Sequence, residues 1–164
     1  MSPAEFARFF DVSRETVDRL EAYAGLLKRW QKTINLVAPN TLDDVWHRHF
    51  ADSAQLFPLI PENARHLIGI AVDIMSSRIE SITNSANVAP ADVFTSRALA
   101  PLPRLFELVE PLFAPQAVAL FLKGRAVADE VEAARGAWEF DLALKQSVTE
   151  ADARIAVIRH LKRK

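Results

Sequence analysis

The chain has no cysteine, which excludes a disulfide framework and any thiolate-held metal site. It has no apolar run approaching the roughly 18 residues of a membrane-spanning helix. Its start shows none of the charged-then-apolar pattern of a secretory leader. Neither sign of charge dominates, because 20 Lys and Arg stand against 21 Asp and Glu for a formal net charge of −1. Coating of nucleic acid by charge alone is thereby excluded, whereas a local basic patch is not. Internal repeats and low-complexity segments are missing too. What is present is 164 residues, half of them hydrophobic and a quarter charged. That is the composition of a folded domain with a sizeable core. The expectation is a cytoplasmic monomer without a membrane partner.

The first third reads as helix. From Val17 the apolar positions Leu20, Ala24, Leu27, Trp30 and Ile34 recur every three or four residues, the stripe of an amphipathic helix. Ser13 stands ahead of it as an N-cap, since its hydroxyl can accept from an unpaired amide of the first turn. A short preceding helix is expected to hold Phe6, Phe9 and Phe10 on one side. Pro39 breaks the pattern by biasing its predecessor away from helical angles. Thr41-Leu42-Asp43-Asp44 then reads as a capping box with Asp in place of Glu. One or two helices follow to about Phe57, where Pro58 and Pro61 close the region.

Beyond Pro61 the pattern changes. Arg65 to Ile70, Asp92 to Ser96, Ala117 to Lys123, Phe140 to Leu144 and Arg154 to Leu161 read as strands, the middle ones as runs buried on both faces. Helical stretches, Leu102 to Phe113 and Val127 to Trp138, lie between them. Strand, helix, strand, helix, strand points to a parallel sheet with right-handed crossovers. The last two strands are joined by a short connection and should pair antiparallel at one edge. Residues 1–61 are therefore expected to form a helical cap and residues 62–164 an α/β domain. One stretch resists this scheme. His66 to Met75 offers apolar residues for two strands but almost nothing between them, whereas a parallel pair needs a crossover of about a dozen residues or more. Either this is one long strand, or a crossover unit is missing around residues 69–72.

In an open α/β sheet, ligands bind beyond the carboxyl ends of the strands. The residues to weigh are therefore Gly69, then Ser77 to Glu80, then Thr95 to Ala98, then Lys123 to Arg125. Polar groups at successive strand ends frame a mouth for a charged ligand; the competing explanation is that strands simply end in solvent.

Asn35-Leu36, Arg48-His49 with Asp52-Ser53, Arg78-Ile79-Glu80, Ser96-Arg97-Ala98 and Leu122-Lys123-Gly124 occur in this order. With Pro90 to Val93 and Ala98 to Leu102, they make the chain resemble the ribosomal RNA small subunit methyltransferase G family, also called the glucose-inhibited division protein B family. The resemblance implies a Rossmann-like class I methyltransferase sheet with helices on both faces and an N-terminal helical cap. It further implies transfer of a methyl group from S-adenosylmethionine to N7 of a guanine in 16S ribosomal RNA. By the same resemblance Ile79 and Glu80 lie beside the adenine and Arg97 belongs to the cofactor site; Gly69 is kept with them. For Glu80 the alternative is a solvated strand-end carboxylate. For Arg97, whose guanidinium fork suits a carboxylate or phosphate, it is a structural ion pair.

The chain departs from the family at one place. The family's acidic and glycine-rich turn, of the form D-x-G-S-G-x-G-F-P-G, and the helix, strand and helix after it have no counterpart. Ile68-Gly69-Ile70 runs straight into Ala71-Val72-Asp73, at the seam already marked by crossover geometry. The glycine turn lets backbone approach the cofactor closely, so weak cofactor binding is expected. A non-catalytic remnant that binds RNA or protein is the alternative function.

Guanine N7 is a lone-pair nucleophile with no proton to remove, so no general base is assigned; holding the reacting atoms in line is the catalytic task. Asn35, Arg48, His49, Ser96 and Lys123 are the candidates for substrate or RNA contact. For His49, with Asp52 and Ser53 at helical spacing, a hydrogen-bond cluster is the competing role; for Asn35 it is backbone capping. His47 and His49 point apart on a helix and do not share a metal. Lys28, Arg29 and Lys32, and Arg154, Arg159, Lys162, Arg163 and Lys164, are groups for phosphate contact. Their alternative is a helix dipole's preference for cations and a solubilising tail.

Overall fold

In the computed structural model the described residues are 1–34, 36–70, 90–97 and 99–164. They divide into two compact units, Met1–Pro58 and Leu59–Lys164.

The first unit is helical. Helix α1 (Pro3–Phe10) opens with a capping box: Ser2 Oγ accepts from Glu5 N–H at 3.2 Å, and Glu5 Oε2 accepts from Ser2 N–H at 2.6 Å. The Ser2 bonds hold the Glu5 carboxyl below its usual pKa. Helix α2 (Arg14–Trp30) starts at the expected cap, Ser13 Oγ accepting from Thr16 N–H at 3.2 Å. It ends before Ile34, because the Gln31 side chain closes the chain on itself, donating to Val37 O at 2.7 Å and accepting from Leu36 and Val37 N–H at 2.9 Å. Its stripe of Ala24 and Leu27 packs with Phe6, Val45, Phe50 and Ala51. Phe9 departs from expectation: it is 61% exposed while Phe6 is buried. One turn of helix presents only one of two successive side chains to the core, and Phe6 and Phe10 take that face.

The expected capping box at Thr41 is also not there. Thr41 ends a 3₁₀ turn, Pro39–Thr41, and its hydroxyl donates to Ala38 O at 2.7 Å. The next helix begins only at Trp46–Ala51, as a π-helical turn, and passes into the short α3 (Asp52–Ala54).

The second unit is a sheet of five described strands in the order β1-β2-β3-β5-β4. These are β1 (Leu67–Ile70), β2 (Ala91–Arg97), β3 (Phe113–Lys123), β4 (Trp138–Gln146) and β5 (Arg154–Arg163). β1, β2 and β3 run parallel, with Gly69 opposite Thr95 and Thr95 opposite Leu120. β5 runs antiparallel to both β3 and β4. β4 therefore points the same way as β3, as a crossover requires, while β5 inserts between them and leaves β4 at the edge. From Ala117 to Lys123 every residue of β3 is buried, the mark of a strand covered on both faces.

Helices α4 (Leu102–Val109) and α5 (Val127–Arg135) supply the crossovers. Both bury residues in one cluster with Phe94, Phe121, Phe140 and Ile158. Val93, Val118, Leu120 and Val157, on the opposite side of the same strands, are buried as well. This is the Rossmann-like α/β arrangement; the expected helices on the second face lie outside the described residues. The aromatic centre is Phe106, whose ring stands 4.9 Å from Phe140 and 5.9 Å from Trp138, both edge-on. At the amino end of β1 the Asp92 carboxylate accepts from Arg65 and His66 N–H at 2.8 and 3.0 Å. Those two amides hold its pKa below the usual carboxylate range.

Candidate functional site

The carboxyl ends of the parallel strands meet at one edge. Ile70 of β1 pairs with Ser96 of β2, and Ser96 with Phe121 of β3; one step on, Arg97 pairs with Leu122, next to Lys123. Four of the candidates read from the sequence, Gly69, Ser96, Arg97 and Lys123, are thus brought together. Ile79, Glu80 and Asn35 lie outside the described residues, as does the stretch beyond Ile70.

Side chains alternate across a strand, and this divides the four between two faces. Gly69 and Arg97 share the face of Val93 and Thr95. Gly69 lies inside β1 rather than beyond it, and a Cβ placed there would meet Thr95 Oγ1 at an ordinary 3.6 Å. Its role there is a strand position, without the tight turn that only glycine can make. Arg97 ends β2, half-buried, on the same face one step closer to the edge.

Ser96 and Lys123 lie on the other face, that of α4 and α5, and both are buried. The Ser96 hydroxyl has no hydrogen-bond partner among the described residues. The Lys123 ammonium donates to Ala100 O at 2.7 Å and pairs with Glu130 Oε2 at 2.6 Å. The expectation that Lys123 points into an open mouth is corrected here, because its side chain is only 7% exposed and its charge is already matched. The same Glu130 oxygen accepts from Leu102 N–H, the first amide of α4, at 2.9 Å. Glu130 was not among the sequence candidates; with Asp129 it stands in the first turn of α5, where an acid reads as a dipole partner of its own helix.

Arg48 and His49 belong to the N-terminal unit, on its π-helical turn. His49 Nε2 stands 2.8 Å from Thr41 Oγ1. The Thr41 proton is committed to Ala38 O, so His49 carries its own proton on Nε2 and donates it. Asp52 accepts from Gln55 Nε2 at 3.0 Å. His49 is thus bonded to Thr41, and Asp52 to Gln55. Arg48 is exposed.

The C-terminal cations are not without acids. Lys162 pairs with Glu139 at 2.7 Å, and His160 with Asp141 at 2.7 Å, across the β4–β5 ladder. The pairing lowers the Glu139 pKa and raises that of Lys162. Lys164 Nζ donates to Arg135 O at the end of α5, at 2.6 Å, and the Arg163 guanidinium lies over the Trp138 ring. Among the described residues no group of His, Asp and Glu is set to hold a metal ion.

A model of the family described as rRNA small subunit methyltransferase G matches residues 16–74 and 62–161. The chain is similar to ribosomal RNA small subunit methyltransferase G of Parvibaculum lavamentivorans, 35% identical over 95% of this chain and 88% of that one. It is similar to the protein of that name from Rhodospirillum centenum, 39% identical over 82% of this chain and 79% of that one. For that of Paramagnetospirillum magneticum the values are 36%, 99% and 98%. The first alignment runs over 201 positions whereas the chain has 164 residues, so at least 37 positions have no counterpart here. The two stretches matched by the family model overlap at 62–74.

Proposed function

The chain belongs to the rRNA small subunit methyltransferase G family, and from that membership we infer that it transfers a methyl group from S-adenosylmethionine to small-subunit ribosomal RNA, at N7 of a guanine. The observation that carries this reading is the common edge at which Gly69 and Arg97 share a face, at the carboxyl end of a parallel sheet. In such a sheet that edge is where ligands bind.

The residues present fit the cofactor on the β2 side. Arg97 offers a guanidinium fork to a carboxylate, on the face it shares with Gly69. Ile79 and Glu80 are our candidates for the adenine. On the β1 side the sequence supplies no glycine-rich turn, so affinity is expected to be weak. When bound, S-adenosylmethionine supplies an activated methyl group. The task left to this chain is to hold the guanine in line with it. Arg48, Lys28, Arg29 and Lys32 are the proposed phosphate contacts, and Asn35 and His49 are kept as candidates for RNA contact; the phosphate contribution should fall as salt rises.

The direct test is methyl transfer from labelled S-adenosylmethionine to small ribosomal subunits that lack the modification, with the Rhodospirillum centenum relative as a positive control. Label at a guanine of the 16S RNA supports the reading. No label, together with no calorimetric heat at millimolar S-adenosylmethionine, defeats it. Arg97→Ala should weaken cofactor binding by about tenfold or more, the worth of one charge-assisted hydrogen bond, while leaving the unfolding transition in place. Unchanged affinity in that variant removes Arg97 from the site.

A further inference from the structure

We propose that Lys123 is a positioning residue, whose buried ammonium locks the turn after β2 and so fixes the direction of Arg97. The inference deepens the function proposed above and rests on it for the identity of the site. Lys123 follows Leu122, the partner of Arg97 across the β2–β3 ladder. From there it reaches Ala100 O, in the bend beyond Arg97, at 2.7 Å. It also reaches Glu130 on α5 at 2.6 Å.

The second half of the clamp is the N-terminus of α4. Its cap residue, Pro101, makes no side-chain cap bond, and Leu102 is fully buried. The first amide of this helix would therefore face the interior unpaired. Glu130 Oε2 accepts it at 2.9 Å, a cap delivered from another helix and favoured by the charge at a helix N-terminus. One carboxylate oxygen thus joins a cation on β3 to an amide on α4, and the same cation holds the carbonyl two residues earlier. The turn is gripped at Ala100 and Leu102 from elements behind it. An ammonium spent in this way does not read RNA phosphate; it fixes the strand end that bears Arg97 and Ser96.

Lys123→Met and Glu130→Gln, made in the full chain, test this. Hydrogen–deuterium exchange of the peptide covering residues 97–103 is read without ligand, and kcat and KM for S-adenosylmethionine are read with small ribosomal subunits. Lys123→Met should raise exchange in that peptide and lower kcat/KM by about 100-fold, the scale of an ångström-sized misplacement. Glu130→Gln keeps an acceptor for Leu102 and should do both to a lesser degree. The double variant should fall no further than Lys123→Met, because the pair acts as a unit. Unchanged exchange in both variants overturns the clamp. Lost RNA affinity in Lys123→Met at unchanged exchange overturns it too, and makes Lys123 a direct contact. If Lys123→Met does not fold, exchange in Glu130→Gln decides. Exchange needs no substrate, so an inactive parent chain would sink the methyltransferase reading alone and leave the clamp to be judged by exchange.

Discussion

The two halves of the sheet use the same kinds of charged residue in opposite ways. In the parallel half, β1-β2-β3, the ion pair Lys123–Glu130 is buried, with side chains 7% and 20% exposed, and it shares its oxygen with a helix amide. In the antiparallel half, β5 and β4 carry Lys162–Glu139 and His160–Asp141 on their outer face, every one of these side chains at least half exposed. A buried pair that loses one partner leaves a charge without solvent and is costly to break. An exposed pair exchanges one well-solvated state for another and is worth little. Position in the fold, rather than the residue type, sets what each charge does. The half with the buried pair is also the half whose strand ends bear the candidate site.

This contrast can be broken in several places. Lys123→Met should have the largest effect, a loss of about 3 kcal/mol of stability in urea unfolding; that is the low end of the range for a broken buried pair, because Glu130 retains some solvent contact. A loss below about 1 kcal/mol would erase the distinction between the halves, since that is the value of a surface pair. Next comes His160, which sits in β5 at φ 51°, where the β4–β5 register shifts between Glu139 and Asp141. A β-branched residue cannot take that left-handed conformation without strain, so His160→Val should cost about 1–2 kcal/mol. His160→Gly should be close to neutral, as relief of φ offsets the lost bond to Asp141.

The smaller effects sharpen the comparison through pH. The Arg65 and His66 amides lower the pKa of Asp92, so the stability it contributes is present above the usual carboxylate pKa. It is lost as pH falls through the lowered value. Asp92→Asn should therefore flatten the fall in urea midpoint between about pH 5 and pH 2, the span over which an aspartate with a lowered pKa titrates. An unchanged slope would show that other carboxylates carry the acid response. For Lys162–Glu139, the raised lysine contributes until pH climbs through its folded value, and the lowered glutamate until pH falls through its own. Between those limits Lys162→Gln should leave the urea midpoint within error at physiological salt, where surface charges are screened.

Much of the fold was legible in residue order because its signals are local. The run Ala117 to Lys123 reads as a strand buried on both faces from its lack of polar interruptions, and it is one. Ser13 reads as a cap and caps. The S-x-x-E pattern of Ser2 and Glu5 forms a capping box, while the similar pattern at Thr41 does not. The difference lies in the next residue: Pro3 starts a helix at Ser2, whereas the turn at Pro39 draws the Thr41 hydroxyl back to Ala38.

The sequence by itself determined the order of the described strands and helices and the family to which the chain belongs, since each is written in short-range periodicity or in the order of motifs. Only the tertiary structure decided that Gly69 and Arg97 share a face while Ser96 and Lys123 turn beneath α4 and α5. It also decided that Lys162 and His160 meet Glu139 and Asp141, and that Glu130 caps a helix other than its own. The physical reason is common to all three. Which face a side chain takes depends on strand register, and which charge it meets depends on elements 19 to 28 residues away along the chain, distances over which local pattern carries no information.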